Sequence, residues 1–226
     1  RKGLSDERGG DIFKKVLNIL CDKRPQVFFL ENVKGMMSHD HGNTMSYMVA
    51  QLSSCGYELA KPTILNSMTH ANVPQNRERV FLVGFLDKNK AKIFEFPKKI
   101  ALKKTIHSCL ETKKVDDNFY YTDRFGCYAT LKDEIVSKDT LYQWRRMYVR
   151  ENKSKACPTL TANMGSGGHN VPLIKDNFGI RKLTPRETAN FQGFNKQHKL
   201  PIMANSHLYH QFGNSVTVPL IKRIAK

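Results

Sequence analysis

Several short segments combine residue types and spacings that can do chemistry. Glu31 follows the apolar run of Phe28-Phe29-Leu30-Glu31-Asn32-Val33. A carboxylate just beyond the C-terminal end of an apolar strand lies on the edge where open α/β sheets bind ligands; a solvated Glu leaving a strand has the same pattern. In Gln75-Asn76-Arg77-Glu78-Arg79 the alternation of an extended chain puts Arg77 and Arg79 on one side. Two guanidiniums there can clamp phosphate or carbonyl oxygens, although two exposed surface arginines read the same way. Residues 141–155 carry Arg145, Arg146, Arg150, Lys153 and Lys155 against one Glu, interleaved with Tyr142, Trp144 and Tyr148. Cationic and aromatic side chains together suit a nucleic-acid backbone and unstacked bases; the alternative is a solvated charged face. Thr159-Leu160 then leads into a glycine loop with Gly165, Gly167 and Gly168, which can bring its backbone close to a ligand or form a flexible hairpin. Phe212-Gly213-Asn214-Ser215-Val216 can present polar groups to a small ligand, or simply cap a helix.

Other reactive residues carry less. His39, His41, His207 and His210 lack a third ligand at metal spacing, so no metal is expected. The five cysteines (21, 55, 109, 127 and 157) are odd in number and widely spaced, with no CxxC. That argues against a disulfide framework and a structural zinc, and for a reducing, intracellular setting.

The elements that must position these groups follow from periodicity. Residues 11–20 read as a helix with one buried face, ended by Arg24-Pro25. Residues 27–30 read as a strand buried on both faces, and 44–55 as a helix closed by Gly56. Residues 57–65 and 80–85 are further strands, giving part of an open α/β sheet. No period is evident over 87–177, read as an irregular second domain. Thr184-Pro185-Arg186-Glu187 is a capping box with Pro at the first helical position, and a last helix starts near Val218. The expected division is 1–86, 87–178, and a returning segment 179–226. Lys+Arg outnumber Asp+Glu by 37 to 20, a net +17, which favours nucleic acid first and an anionic membrane surface second. No apolar stretch spans a bilayer and no signal peptide opens the chain, which begins Arg1-Lys2-Gly3 as a fragment or processed product would.

The order of the segments is more specific than any one of them. Glu-Asn-Val-Lys-Gly, Gln-Asn-Arg-Glu-Arg, a basic region with Thr-Leu, Arg181-Lys182-Leu183-Thr184-Pro185-Arg186-Glu187 into Phe191-Gln192-Gly193-Phe194, and Gln211-Phe212-Gly213-Asn214-Ser215-Val216 resemble the bacterial DNA (cytosine-5) methyltransferases of restriction-modification systems. The resemblance implies a partial Rossmann-like methyltransferase sheet with a smaller target recognition domain. It implies methyl transfer from S-adenosylmethionine to carbon 5 of a flipped cytosine in double-stranded DNA, in the bacterial cytoplasm at the nucleoid. Glu31 would assist at the ring N3, beside the matching arginines Arg77 and Arg79; Arg79 would hold the cytosine O2. Asn214, Ser215 and Val216 match the motif that helps form the donor site. Arg145, Arg146, Arg150, Lys153, Thr159, Leu160, Gly165, Gly167 and Gly168 fall in the DNA-binding region. The family's Phe-Gly-Gly donor turn and Pro-Cys-Gln nucleophile loop are not in this sequence, and no cysteine follows a proline. An incomplete, inactive chain is therefore expected. A subunit of a split methyltransferase completed by an N-terminal chain, or a non-catalytic sequence-specific DNA-binding protein, are the alternatives.

Overall fold

The computed structural model describes residues 7–165 and 171–226, with side chains from residue 12 onward. The chain forms two compact units. One takes in the chain up to Leu65 together with Glu78–Pro97; the other comprises Asn66–Arg77 and Lys98–Lys226.

In the first unit, α1 (Glu7–Lys23) turns Phe13, Val16, Leu17 and Leu20 toward the core. Arg24 takes a positive φ of 45° at its end, and Pro25 follows. Strand β1 (Val27–Val33) leads to α2 (Asn43–Ser54), whose Met45, Met48 and Leu52 are buried, and Gly56 reverses the chain at φ 89°. Then come β2 (Glu58–Leu59) and β3 (Thr63–Asn66). After α3 (Ser67–Ala71) and β4 (Gln75–Asn76), which belong largely to the second unit, the chain returns as β5 (Glu78–Phe85) and the short α4 (Lys88–Ile93). The sheet order is β1-β5-β2, with β3 also on β5. Both β1 and β2 run antiparallel to β5. They are therefore parallel to each other, joined through α2 with an antiparallel strand between them.

Three expectations change here. β1 is not buried on both faces: Phe28 is 7% exposed but Phe29 is 41% and Val27 50%. Among the described residues the helices of this unit pack on the β1 face that carries Phe28, while the face that carries Val27 and Phe29 is left largely open. The strand expected over 57–65 is two short strands, because Pro62 between them has no N–H for the ladder. Cys21 and Cys55 form a disulfide with Cα atoms 5.1 Å apart, although no bridge was expected. The ends of α1 and α2 meet at the start of β1, where Arg24 Nη1 donates to the Cys55 carbonyl at 3.0 Å and Tyr57 Oη to that of Pro25 at 2.8 Å.

The second unit is more ordered than the sequence suggested. β6 (Tyr142–Trp144) and β7 (Val149–Glu151) form a hairpin, and the sheet continues through β9 (Leu173–Lys175) and β10 (Ile180–Lys182) in the order β10-β9-β6-β7. Separately, β8 (Cys157–Pro158) runs parallel to β4. Helices α5 (Tyr128–Glu134), α6 (Pro185–Phe191), α7 (Asn205–Asn214) and α8 (Val218–Ile224) complete the unit. One core gathers Ile106, Leu141, Leu160, Ile174, Leu183, Phe191 and Tyr209; another gathers Leu131, Ile135, Tyr142, Leu173 and Ile180. The C-terminal segment thus packs in the same unit as residues 98–178.

At its centre Arg181 is fully buried. Its Nη1 and Nη2 each meet a Glu187 carboxylate oxygen at 2.8 Å, and its Nε meets Asp176 Oδ2 at 2.6 Å. Glu187 also accepts from the Thr184 N–H at 2.8 Å, closing the capping box, and from the Glu111 N–H at 2.9 Å. Burial alone would raise the Asp176 carboxyl, but hydrogen bonds from Arg181, the Phe178 N–H and Tyr120 offset that and hold it below the usual range.

Removing one partner leaves a buried charge uncompensated, which costs about 3–5 kcal/mol. Arg181→Ala, which strands both Glu187 and Asp176, should therefore lower the urea midpoint of the unit strongly. Because the folded Asp176 carboxyl is depressed, its contribution is complete above the ordinary carboxylate value of about 4 and is lost as pH falls through the lower folded value. Stability measured from pH 6 to pH 2 should fall less steeply in Asp176→Asn than in the parent.

Candidate active site and nucleic-acid interface

In the first unit the β1–β5 register pairs Glu31 with Phe81 and Val33 with Arg79. Glu31 and Arg79 are therefore diagonal neighbours on one sheet face, within reach of long side chains. They meet in an ion pair, Arg79 Nε to Glu31 Oε1 at 2.9 Å, with side chains 14% and 24% exposed respectively. Arg79 Nη1 also donates to the Glu78 carbonyl at 2.9 Å. Burial draws the guanidinium below its ordinary value and the Glu31 charge restores part of that; an arginine so placed remains charged at neutral pH. Lys34 pairs with Glu78 at the same end of the two strands. The result is a carboxylate held by a cation, both partly open to solvent.

Arg77 does not join them. It lies between β4 and β5, where the extended path breaks, so the alternation expected to align it with Arg79 does not hold. Its side chain is buried in the second unit, with Nη1 donating to the Leu160 carbonyl at 2.8 Å and Nη2 to that of Ser215 at 2.8 Å. Both nitrogens also reach the Gly213 carbonyl at 3.5 Å. A guanidinium spent on main-chain carbonyls does not reach a reacting base, so the expected catalytic role of Arg77 is corrected to a structural one.

The basic cluster splits. Arg145 and Arg146 occupy the tip of the β6–β7 hairpin, where Arg146 has φ 68° and the Arg145 N–H donates to the Tyr148 carbonyl at 2.9 Å. Gln143 faces Arg150 directly across the hairpin. An open cleft of about 440 Å³ is lined by Gln143, Arg145, Arg150, Asn152, Thr159 and Thr161, with Asn76 and Asn163. Arg146 and Lys153 are exposed and outside it. Thr159 Oγ1 donates to the Asn76 carbonyl at 2.7 Å. Leu160 is wholly buried, which corrects its assignment to the DNA-binding surface. Beside it β8 pairs with β4, and the Leu160 N–H donates to Gln75 Oε1 at 3.1 Å, turning the side chain into the core. Gly165, at φ 77°, is needed for packing rather than ligand approach, since a Cβ there would lie 2.7 Å from the Tyr209 ring. Gly167 and Gly168 lie outside the described residues. The cleft's amides and Thr161 are not among the residues the sequence singles out, although Thr159, Thr161 and Asn163 alternate with apolar residues and Gln143 precedes Arg145 by two, both strand-like spacings.

Asn214 ends α7, and Ser215 and Val216 form the turn to α8. The Asn214 and Val216 side chains are exposed. The backbone beneath is fixed: Gln192 Nε2 donates to the Phe212 carbonyl at 2.7 Å, and Arg77 holds Gly213 and Ser215. Burial pushes the Cys157 thiol far above its ordinary value and raises that of Cys109, so neither is an activated nucleophile. No described helix is long and apolar enough to cross a membrane.

The family model for the C-5 cytosine-specific DNA methylases matches residues 1–226. The chain belongs to this family. Among its relatives, the Type II methyltransferase M.Bsp6I of Bacillus sp. (strain RFL6) is 52% identical over 228 residues, with all of this chain and 72% of the relative covered. M.DsaV of Dactylococcopsis salina is 38% identical, and the chain spans 63% of its length. The fold is also similar to that of S. pombe Dnmt2 methyltransferase, with TM-score 0.67 at 18% identity over 94% of this chain and 68% of that one. This is the chain of a DNA (cytosine-5) methyltransferase, akin to restriction-modification enzymes and of mixed α/β structure.

Gly213 offers a test of the local geometry. A Cβ there would lie 2.1 Å from the Thr161 carbonyl oxygen, which is main chain and has little room to yield. Gly213→Ala should destabilise the second unit by roughly 1–3 kcal/mol, the usual cost of overpacking, measured as a drop in Tm.

Proposed function

We propose that this chain takes part in methylating carbon 5 of a flipped cytosine in double-stranded DNA, in the bacterial cytoplasm at the nucleoid, with S-adenosylmethionine as methyl donor. The observation that carries the reading is the Glu31–Arg79 pair, a half-open carboxylate locked by a guanidinium on a sheet face. Cytosine must lose ring electron density before a nucleophile adds at carbon 6. Glu31 serves as the carboxylic acid, its O–H donating to N3 and passing its proton there as charge builds on the ring, and Arg79 serves twice, orienting the Glu31 carboxyl and stabilising charge that builds at O2. Such charge develops mainly in the transition state, so both residues act on the chemical step.

S-adenosylmethionine supplies the methyl group when bound. An exposed amide at Asn214 and an apolar Val216 on a backbone held from below fit a small amphipathic ligand, and these residues with Ser215 would contribute to holding it. The nucleophile comes from outside this sequence, in the length the relatives carry beyond it, on the same polypeptide or on a complementing chain. DNA engages the second unit. Arg, Asn and Gln are the side chains that read base edges in the major groove, so the cleft serves readout, while Arg146 and Lys153 serve phosphates without regard to sequence. Residues 87–178 then act as the target recognition domain, with 1–86 and 179–226 contributing to catalysis and donor binding.

The test is single-turnover methylation beside a DNA-binding titration in the complete enzyme carrying this chain. Glu31→Gln and Arg79→Ala should slow methylation on the order of 10²-fold or more at saturating DNA while changing affinity little. Arg146→Ala and Lys153→Ala should weaken binding to any sequence, each reducing the slope of log affinity on log salt by about 0.9 per lost contact, and leave the chemical step near the parental rate. Parental methylation by Glu31→Gln would remove Glu31 from the reaction.

A further inference from the structure

We propose that Arg77 is a positioning residue that holds residues 159–165 (the recognition loop) and the 213–216 turn assigned above to the methyl donor (here the donor turn) as one body, so that one guanidinium sets both DNA discrimination and donor affinity. The inference rests on the reading of those two segments given above, and goes beyond it by assigning a physical link between them.

Arg77 bonds both segments at once. It reaches the Leu160 carbonyl, in the middle of the cleft-lining Thr159–Thr161 stretch, and the Gly213 and Ser215 carbonyls on either side of Asn214. The planar fork of arginine can satisfy acceptors in several directions at fixed angles, which a lysine ammonium cannot reproduce. The surrounding groups point the same way. Gln75 accepts from the Leu160 N–H and donates to Gln192 Oε1 at 3.1 Å, and Gln192 donates to the Phe212 carbonyl. Ser67 and Thr217 hydroxyls meet at 2.7 Å below the turn. All five of these side chains are buried. The two segments also touch directly, because Gly213 leaves no room for a Cβ against the Thr161 backbone. Moving the recognition loop therefore moves the carbonyl acceptors of the donor turn, through bonds whose donors have no solvent to replace them.

The experiment uses the complete enzyme carrying this chain, with Arg77→Ala and Arg77→Lys. Hydrogen exchange over residues 159–165 and 212–217, donor binding by calorimetry with S-adenosylmethionine, and binding to target against non-target duplexes are each measured below the unfolding temperature. For Arg77→Ala the expected result is faster exchange in both segments, donor affinity lowered 10-fold or more, and a smaller ratio of target to non-target affinity. Arg77→Lys should restore each in part. Should Arg77→Ala fail to fold, Arg77→Lys decides, with 3-fold or greater weakening of donor binding and faster exchange in both segments as the expected result. Parental exchange and donor affinity in folded Arg77→Lys and Arg77→Ala would overturn the proposal, as would loosening of one segment only. Hydrogen exchange needs no turnover, so it stands apart from the fate of Glu31. If both segments loosen together but neither donor nor DNA binding changes, the proposal also fails, because the linked segments are then not those sites.

Discussion

The second unit depends on the burial of one cation. Arg181 has no contact with solvent, and a guanidinium in that position is tolerable only if every direction in which it donates meets an acceptor. Glu187, Asp176 and the Lys182 carbonyl accept from it, and each carboxylate is itself the organiser of a different element. Glu187 starts α6 by accepting from the Thr184 N–H and fixes the extended segment at Glu111. Asp176 shapes the turn between β9 and β10 by accepting from the Phe178 and Gly179 N–H groups. One electrostatic requirement thereby sets where a strand ends, where a helix begins, and which loop lies against them.

The first unit is governed instead by register. Glu31 and Arg79 meet because β1 and β5 pair with Val27 opposite Phe85 and Val33 opposite Arg79. A slip of one residue would send the two side chains to opposite faces of the sheet. The register is held by Phe28, Val80 and Leu82, which must face the helices, and by Gly84, whose missing Cβ lets the Phe28 ring lie on the strand. The apolar pattern that stabilises the sheet is also what aims the carboxylate.

Parts of this were legible in the sequence, for identifiable reasons. The helix at 43–54 and the capping box at 184–187 were readable because each is specified within a single turn or a few turns of chain. Glu31 and Arg79 could be singled out, but their pairing needed the antiparallel register, which no local pattern encodes. The strands between 142 and 182 are three residues long, too short for a period to emerge. Alternation does not carry across the break between β4 and β5, so it misplaces Arg77. The bridge between Cys21 and Cys55, 34 residues apart, depends on two helix ends converging, which spacing does not announce.

The hydrogen bonds by which Arg77 holds the two segments go to peptide oxygens. Every residue type carries that oxygen, so the clamp is blind to what the loop residues are. Replacing Thr159, Thr161 or Asn163 alters the face offered to the cleft and leaves the Leu160 oxygen where Arg77 finds it. A scaffold anchored through its main chain can exchange the side chains that line the cleft piece by piece without disturbing the neighbouring turn at Asn214.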